Sequence, residues 1–112
     1  ELDTPARAAI PAAATLDLHG LDREEARARL GRFLAECARR GQCTLLVVTG
    51  HGRRRVGAGV LRREVPRWLS TPPLAARVTA FASAPAAEGG AGALRVLLAP
   101  ERGAGAAGGR LL

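Results

Sequence analysis

The chain has 112 residues and a mass of 11.6 kDa, which gives room for one domain with a core of modest size. Hydrophobic residues at 47% with aromatics at 3% make that core aliphatic, and 17 basic residues, all arginine, against 10 acidic ones give a net charge of +7, a balance that favours polyanionic partners. No apolar run approaches the roughly 18 to 20 residues of a membrane span and no secretory signal is visible, so a soluble, cytoplasmic protein without a membrane partner is expected.

Arginine pairs with phosphate through a planar fork and keeps its charge at any physiological pH, so nucleic acid is the leading partner. The plainer alternative is a basic chain whose charge only keeps it in solution. Cys37 and Cys43 have no metal-ligand spacing and read as buried, reduced thiols. The sequence contains no Met and is expected to be a piece of a longer chain.

Residues 1–14 hold Pro5, Pro11 and a run of alanines without amphipathic period, and read as a linker or tail. Leu16-Asp17-Leu18-His19-Gly20 follows. Alternation predicts a strand with Leu16 and Leu18 on the core face and Asp17 and His19 on the other. The carboxylate and imidazole then stand at the strand's carboxyl end, where α/β proteins hold ligands.

Asp22 and Glu25 have capping-box spacing, and Ala26, Leu30, Phe33, Leu34 and Cys37 form one stripe of an amphipathic helix. Arg39 and Arg40 suit its negative end and Gly41 its termination. Cys43 to Val48 is a nearly unbroken apolar run, which suits a central parallel strand covered by helices. It ends at Thr49-Gly50-His51-Gly52. A right-handed βαβ crossover brings both strand ends to one edge, so His51 is expected beside Asp17 and His19.

A basic loop, Arg53-Arg54-Arg55-Val56-Gly57-Ala58-Gly59, precedes a second helix with Val60, Leu61, Val65, Trp68 and Leu69 inward. Residues 53 to 67 carry six arginines against one acid, Glu64. Pro66 is expected to kink that helix or split off its last turn. Val78 to Ser83 reads as a third strand and Ala93 to Ala99 as a fourth, joined through Pro85 and Gly89-Gly90-Ala91-Gly92. If the third strand is parallel to the second, this turn shares the edge with the other two glycine-bearing turns. Residues 101–112 are Gly/Ala-rich and are expected to be disordered.

The LDLHG run, Thr49-Gly50-His51-Gly52 and Gly89-Gly90-Ala91-Gly92-Ala93, in that order, resemble the three signatures of the Smr (small MutS-related) domain family over roughly residues 15 to 99. The resemblance implies a two-layer α/β fold of order βαβαββ for residues 15–100, with a four-stranded mixed sheet and two helices, similar to the C-terminal domain of bacterial translation initiation factor three. It also implies endonuclease activity, nicking DNA in some members and cleaving RNA in others. Family members often carry a His just before the third-signature glycine pair, whereas this chain has Glu88.

The residues offer an acid/base set on a basic surface: Asp17, His19 and His51 as catalytic candidates. Thr49, Gly50, Gly52, Arg53, Arg54, Arg55, Arg63, Gly89 and Gly90 are the nucleic-acid-binding candidates. On RNA one imidazole can take the 2′-hydroxyl proton without a metal. On DNA water must attack, and a weakly held divalent cation, magnesium or manganese, at Asp17 and perhaps His19 would help activate it.

Each candidate also has a structural reading. Asp17 could only hold His19 or a loop, Thr49 could bond the loop rather than substrate, the glycines could serve their turns, and the arginines could be a solvated run. Phe33, Trp68 and Phe81 fall on presumed buried faces, so bases have no aromatic platform and recognition is expected through backbone and shape. The expected protein is a monomer acting on RNA or DNA, including branched or structured nucleic acid or a ribosome. The rival readings are a non-cutting RNA- or ribosome-binding module and an interaction domain for an acidic protein.

Overall fold

The structure is a computed structural model that describes residues 11–50 and 59–99. Six regular elements follow one another: β1 (Ala14–Asp17), α1 (Arg23–Arg40), β2 (Thr44–Val48), α2 (Val60–Leu69), β3 (Val78–Ser83) and β4 (Ala93–Leu98). They build the expected two-layer α/β fold with two helices and a four-stranded mixed sheet.

The sheet order is β1-β2-β4-β3. β1 pairs parallel with β2, while β4 lies antiparallel between β2 and β3. Consequently β3 runs in the same direction as β1 and β2, and all three end at one rim. The turn from β3 into β4 therefore shares that rim with the exits of β1 and β2.

Helix α1 forms where its caps predict. Asp22 accepts the Glu25 amide at 2.8 Å, and Gly41 closes the other end in the left-handed region at φ 76°. Its stripe of Ala26, Leu30, Leu34, Cys37 and Ala38 is buried against Leu45 and Val47 of β2. Each fully buried leucine there contributes about 1.5 to 3 kcal/mol of transfer free energy.

Three expectations are corrected. The sheet takes in the last alanines of the presumed linker, because β1 begins at Ala14 and the Ala13 amide bonds Thr44 O at 2.7 Å. β2 is central, but helices cover only one of its faces: Leu45 and Val47 are buried while Leu46 and Val48 are half-buried on the other. Helix α2 is not split by Pro66 and runs on to Leu69. Buried Leu61, Val65, Trp68 and Leu69 hold it against the core, and the Ser70 and Thr71 hydroxyls take up the carbonyls of Pro66 and Arg67 at 2.9 and 2.7 Å. Packing on both sides of the ring outweighs its cost of about 3 kcal/mol.

The alanine-rich β3 holds its register through a bulge between Val78 and Ala80. That extra residue turns Val78 and Phe81, three apart, toward the same core. Cys37 is buried as expected, whereas Cys43 is only half-buried, with its thiol 3.7 Å from Gly41 O; both are free.

Candidate functional site

Asp17 is the last residue of β1, and strand alternation sets its side chain on the sheet face away from the helices while Leu18 is buried in the core. One oxygen of this carboxylate holds the next turn of chain. Asp17 Oδ1 accepts the His19 amide at 3.0 Å and lies 2.6 Å from His19 Nδ1. An aspartate bonding the backbone two residues on fixes a turn by itself, so the carboxylate sets both the backbone and the ring.

Partial burial pushes the Asp17 carboxyl up, but the bonds from the His19 ring and amide and the attraction of its charge outweigh this and hold it below 3.8. With Asp17 ionised, Nδ1–H is the donor in either form of the ring, and whenever the ring is neutral Nε2 carries the lone pair. The Asp17 and His19 side chains are 54% and 65% exposed, so the pair stands at the surface.

The second and third signature turns are stitched together behind this pair. Gly92 O accepts the Thr49 amide at 2.8 Å and the Gly50 amide at 3.0 Å. The Thr49 hydroxyl, 3.3 Å from both Gly92 O and Gly50 O, shares its proton between them. Gly50 then passes so close to the first turn that a Cβ on it would stand 3.2 Å from His19 Cβ, and its φ of +85° is one that L side chains rarely adopt. The first turn, the second and the third thus form one contiguous cluster, as the parallel order of β1, β2 and β3 predicts.

Several expected roles change on this geometry. Thr49 is 3% exposed, and its hydroxyl lies against the carbonyls of the loop. The amides of Gly50, Gly89 and Gly90 are spent on Gly92 O, Ala86 O and Pro85 O, so none of them is available to cradle a phosphate. Their service is to shape the turns: a Cβ on Gly89, at φ +124°, would meet Ala93 Cβ at 3.0 Å. His51, Gly52, Arg53, Arg54 and Arg55 lie outside the described residues. Arg63 is exposed on α2 and has no ion pair among the described residues.

Sequence reasoning missed four residues near this rim. Glu88, in the turn before Gly89, is gripped by Arg95 of β4 through two parallel bonds of 2.8 and 2.6 Å. Arg23 and Arg27, one helical turn apart at the start of α1, are exposed and make no ion pair among the described residues, whereas Arg29, Arg39, Arg40 and Arg67 each meet a glutamate. The signal for them was present: arginines four apart, directly after the LDLHG run. Among the described residues no three His, Cys, Asp or Glu side chains gather as a cation site.

Comparison with known proteins agrees with the three signatures. Residues 16–99 match the Smr domain family. The chain belongs to that family. This Smr domain is 39% identical over 88 residues to the ribosome rescue factor SmrB of Aliivibrio fischeri (strain MJ11), covering 78% of the present chain and 45% of that protein. It is 41% identical over 86 residues to SmrB of Pectobacterium carotovorum, covering 77% and 43%. The chain spans less than half the length of these curated relatives.

Two solved structures share the architecture of this Smr domain. The Smr domain of Thermus thermophilus MutS2 is 35% identical with a TM-score of 0.66, over 79% of this chain and all of that one. YdaL, a stand-alone small MutS-related protein of Escherichia coli, is 31% identical with a TM-score of 0.70, over 82% of this chain and 70% of that one.

Proposed function

We propose that this Smr domain is an endonuclease that binds nucleic acid by its backbone and cuts RNA, with Asp17 and His19 as the catalytic pair and His51 as the proton donor. The observation that carries the reading is the 2.6 Å contact between Asp17 Oδ1 and His19 Nδ1 in an open position. A carboxylate that holds one ring nitrogen and stabilises the imidazolium makes the other nitrogen an oriented general base.

On RNA, His19 Nε2 removes the 2′-hydroxyl proton, the 2′-oxygen attacks the adjacent phosphorus, and the 5′-oxygen leaves with a proton. His51 directly follows Gly50, whose backbone abuts His19, and is the residue proposed to supply that proton. The products are a 2′,3′-cyclic phosphate and a 5′-hydroxyl, and the scheme requires no metal. Arg23, Arg27 and Arg63, exposed and without an ion pair among the described residues, together with Arg53, Arg54 and Arg55 in sequence, supply cations for the phosphates. Likeness to ribosome rescue factors favours RNA held on a ribosome as the substrate.

The test incubates the purified chain with end-labelled RNA and DNA, with and without EDTA, beside His19→Ala and His51→Ala. Cleavage of RNA to cyclic-phosphate ends, resistant to EDTA and lost in His19→Ala, is the expected result. Binding without cutting would establish the non-catalytic module instead. Cleavage abolished by EDTA would assign the chemistry to a divalent cation and overturn the metal-free scheme.

A further inference from the structure

We infer that Arg95 and Glu88 form a clamp that positions the cleavage site from behind, and are positioning residues of this domain; the inference rests on the reading above. From Ala84 to Gly92 the turn is built of Ala, Pro and Gly apart from Glu88. Such a segment has almost nothing to bury, and its glycines give it many other conformations. Glu88 is the one long side chain by which it can be fastened.

The fastening is good. Arg95 Nε reaches Glu88 Oε1 at 2.8 Å and Nη2 reaches Oε2 at 2.6 Å, a two-pronged pair with side chains only 14% and 25% exposed. Exposed single-contact ion pairs contribute little, but a planar fork on a carboxylate fixes orientation as well as distance. The Arg95 bond holds the Glu88 carboxyl ionised, below 4.5. Arg95 itself sits mid-strand, in register with Leu46 of β2 and Ala82 of β3, so its own backbone is fixed by both neighbours.

The chain of contacts runs on from there. The clamped turn presents Gly92 O to the amides of Thr49 and Gly50, and Gly50 abuts His19, which Asp17 holds. The links are one carbonyl, Gly92 O, and the close approach of Gly50 to His19 Cβ, so displacement of the turn is passed on toward His19. In this chain the position before the glycine pair, where the family often has a histidine, carries the anchor of that turn. Arg95 is occupied by Glu88 and so is distinct from the exposed arginines offered to phosphate.

The test compares the wild-type chain with Glu88→Gln, Arg95→Ala and Arg95→Lys by amide hydrogen exchange, melting temperature and steady-state RNA cleavage. In Glu88→Gln and Arg95→Ala the Thr49 and Gly50 amides are expected to lose at least tenfold in protection while Leu45 and Val47 keep theirs. The kcat is expected to fall about 10- to 100-fold, the range for residues that orient a reacting group, with KM within about twofold. Arg95→Lys, which keeps the charge and loses the fork, is expected to recover part of both. Unchanged Thr49 and Gly50 protection, a uniform loss across the sheet, or a rise in KM alone would overturn the clamp. If the wild-type chain binds RNA without cutting it, the cleavage reading fails, and the exchange data alone decide for or against the clamp.

Discussion

The backbone of Gly50 and the side chain of His19 occupy neighbouring space so tightly that even a methyl group on Gly50 would stand 3.2 Å from His19 Cβ. Residues distant in sequence meet there because β1 and β2 are parallel neighbours, with Asp17 in register with Val48. Gly50→Ala meets two obstacles together, the crowding and a φ of +85°. Stability is expected to fall by about 1 kcal/mol or more, since alanine is incompatible with that conformation. Cleavage is expected to fall further than stability explains, because His19 must move or turn. Melting temperature and kcat measured on the same preparation check this, and an active enzyme with only lowered Tm would show that His19 tolerates the displacement.

Asp17→Asn keeps the shape of the turn but removes the negative charge opposite His19 Nδ1. The catalytic cost is expected to reach about 10⁴-fold in kcat, as when the aspartate that holds a general-base histidine in its tautomer is replaced by asparagine. The stability effect has a definite pH sign. The folded Asp17 carboxyl is held below its ordinary 3.8, so it stabilises the fold above that value and the contribution is lost as pH falls through the folded pKa. The Tm gap between wild type and Asp17→Asn is therefore expected to close on acidification below pH 3.8. A gap that stays constant from neutral to strongly acid pH would show that the carboxylate charge contributes nothing there.

Thr49→Val replaces the buried hydroxyl with a methyl of similar volume. The Gly92 carbonyl keeps both amide donors, so the loss is one shared bond, about 1 kcal/mol. For a domain of this size that is a fall of about 4 to 8 °C in Tm. Thr49→Ser keeps the donor and is expected to lie closer to wild type, the difference being methyl packing. Both variants should bind RNA as wild type does, since Thr49 is 3% exposed. Weakened binding at equal folding would place Thr49 on the nucleic-acid surface.

What the sequence made legible follows from how local each signal is. The two-residue period placed the Asp17 carboxylate outside the core, although the strand ends there and His19 stands in the turn that Asp17 fixes, and the Asp22 and Gly41 caps bounded α1, because strand alternation and capping depend on a few adjacent residues. The shared rim followed from topology alone. The destinations of the amides did not: nothing in Gly89-Gly90 says that their N–H groups turn inward to Ala86 and Pro85, or that Gly92 O collects two donors from another turn. The Arg95–Glu88 pair was equally hidden, since it bridges a hairpin of irregular shape and obeys no fixed spacing. Pro66 did not split the helix, because the buried residues on either side of it, which local propensity does not weigh, hold the last turn in place.

Arg23 and Arg27 give the most direct test of the nucleic-acid face. A cation in the first turn of a helix opposes the helix dipole by about 0.3 to 1 kcal/mol, so Arg23, without an ion pair among the described residues, is locally unfavourable, and a polyanion at the rim, met also by Arg27 one turn on, would offset that. The double variant Arg23→Ala, Arg27→Ala is expected to be as stable as wild type or slightly more so, and to bind RNA more weakly. Its plot of log affinity against log salt should flatten by about 0.7 for each single-strand phosphate that is no longer neutralised. Arg29→Ala is the matched control, because Arg29 lies on the same helix but is held by Glu25 at 3.1 Å. Fluorescence anisotropy across a salt series, with all three proteins at equal helicity, measures both slopes. Equal slopes for the double variant and the wild type would remove the start of α1 from the binding surface and leave the phosphates to Arg63 and the arginines that follow His51.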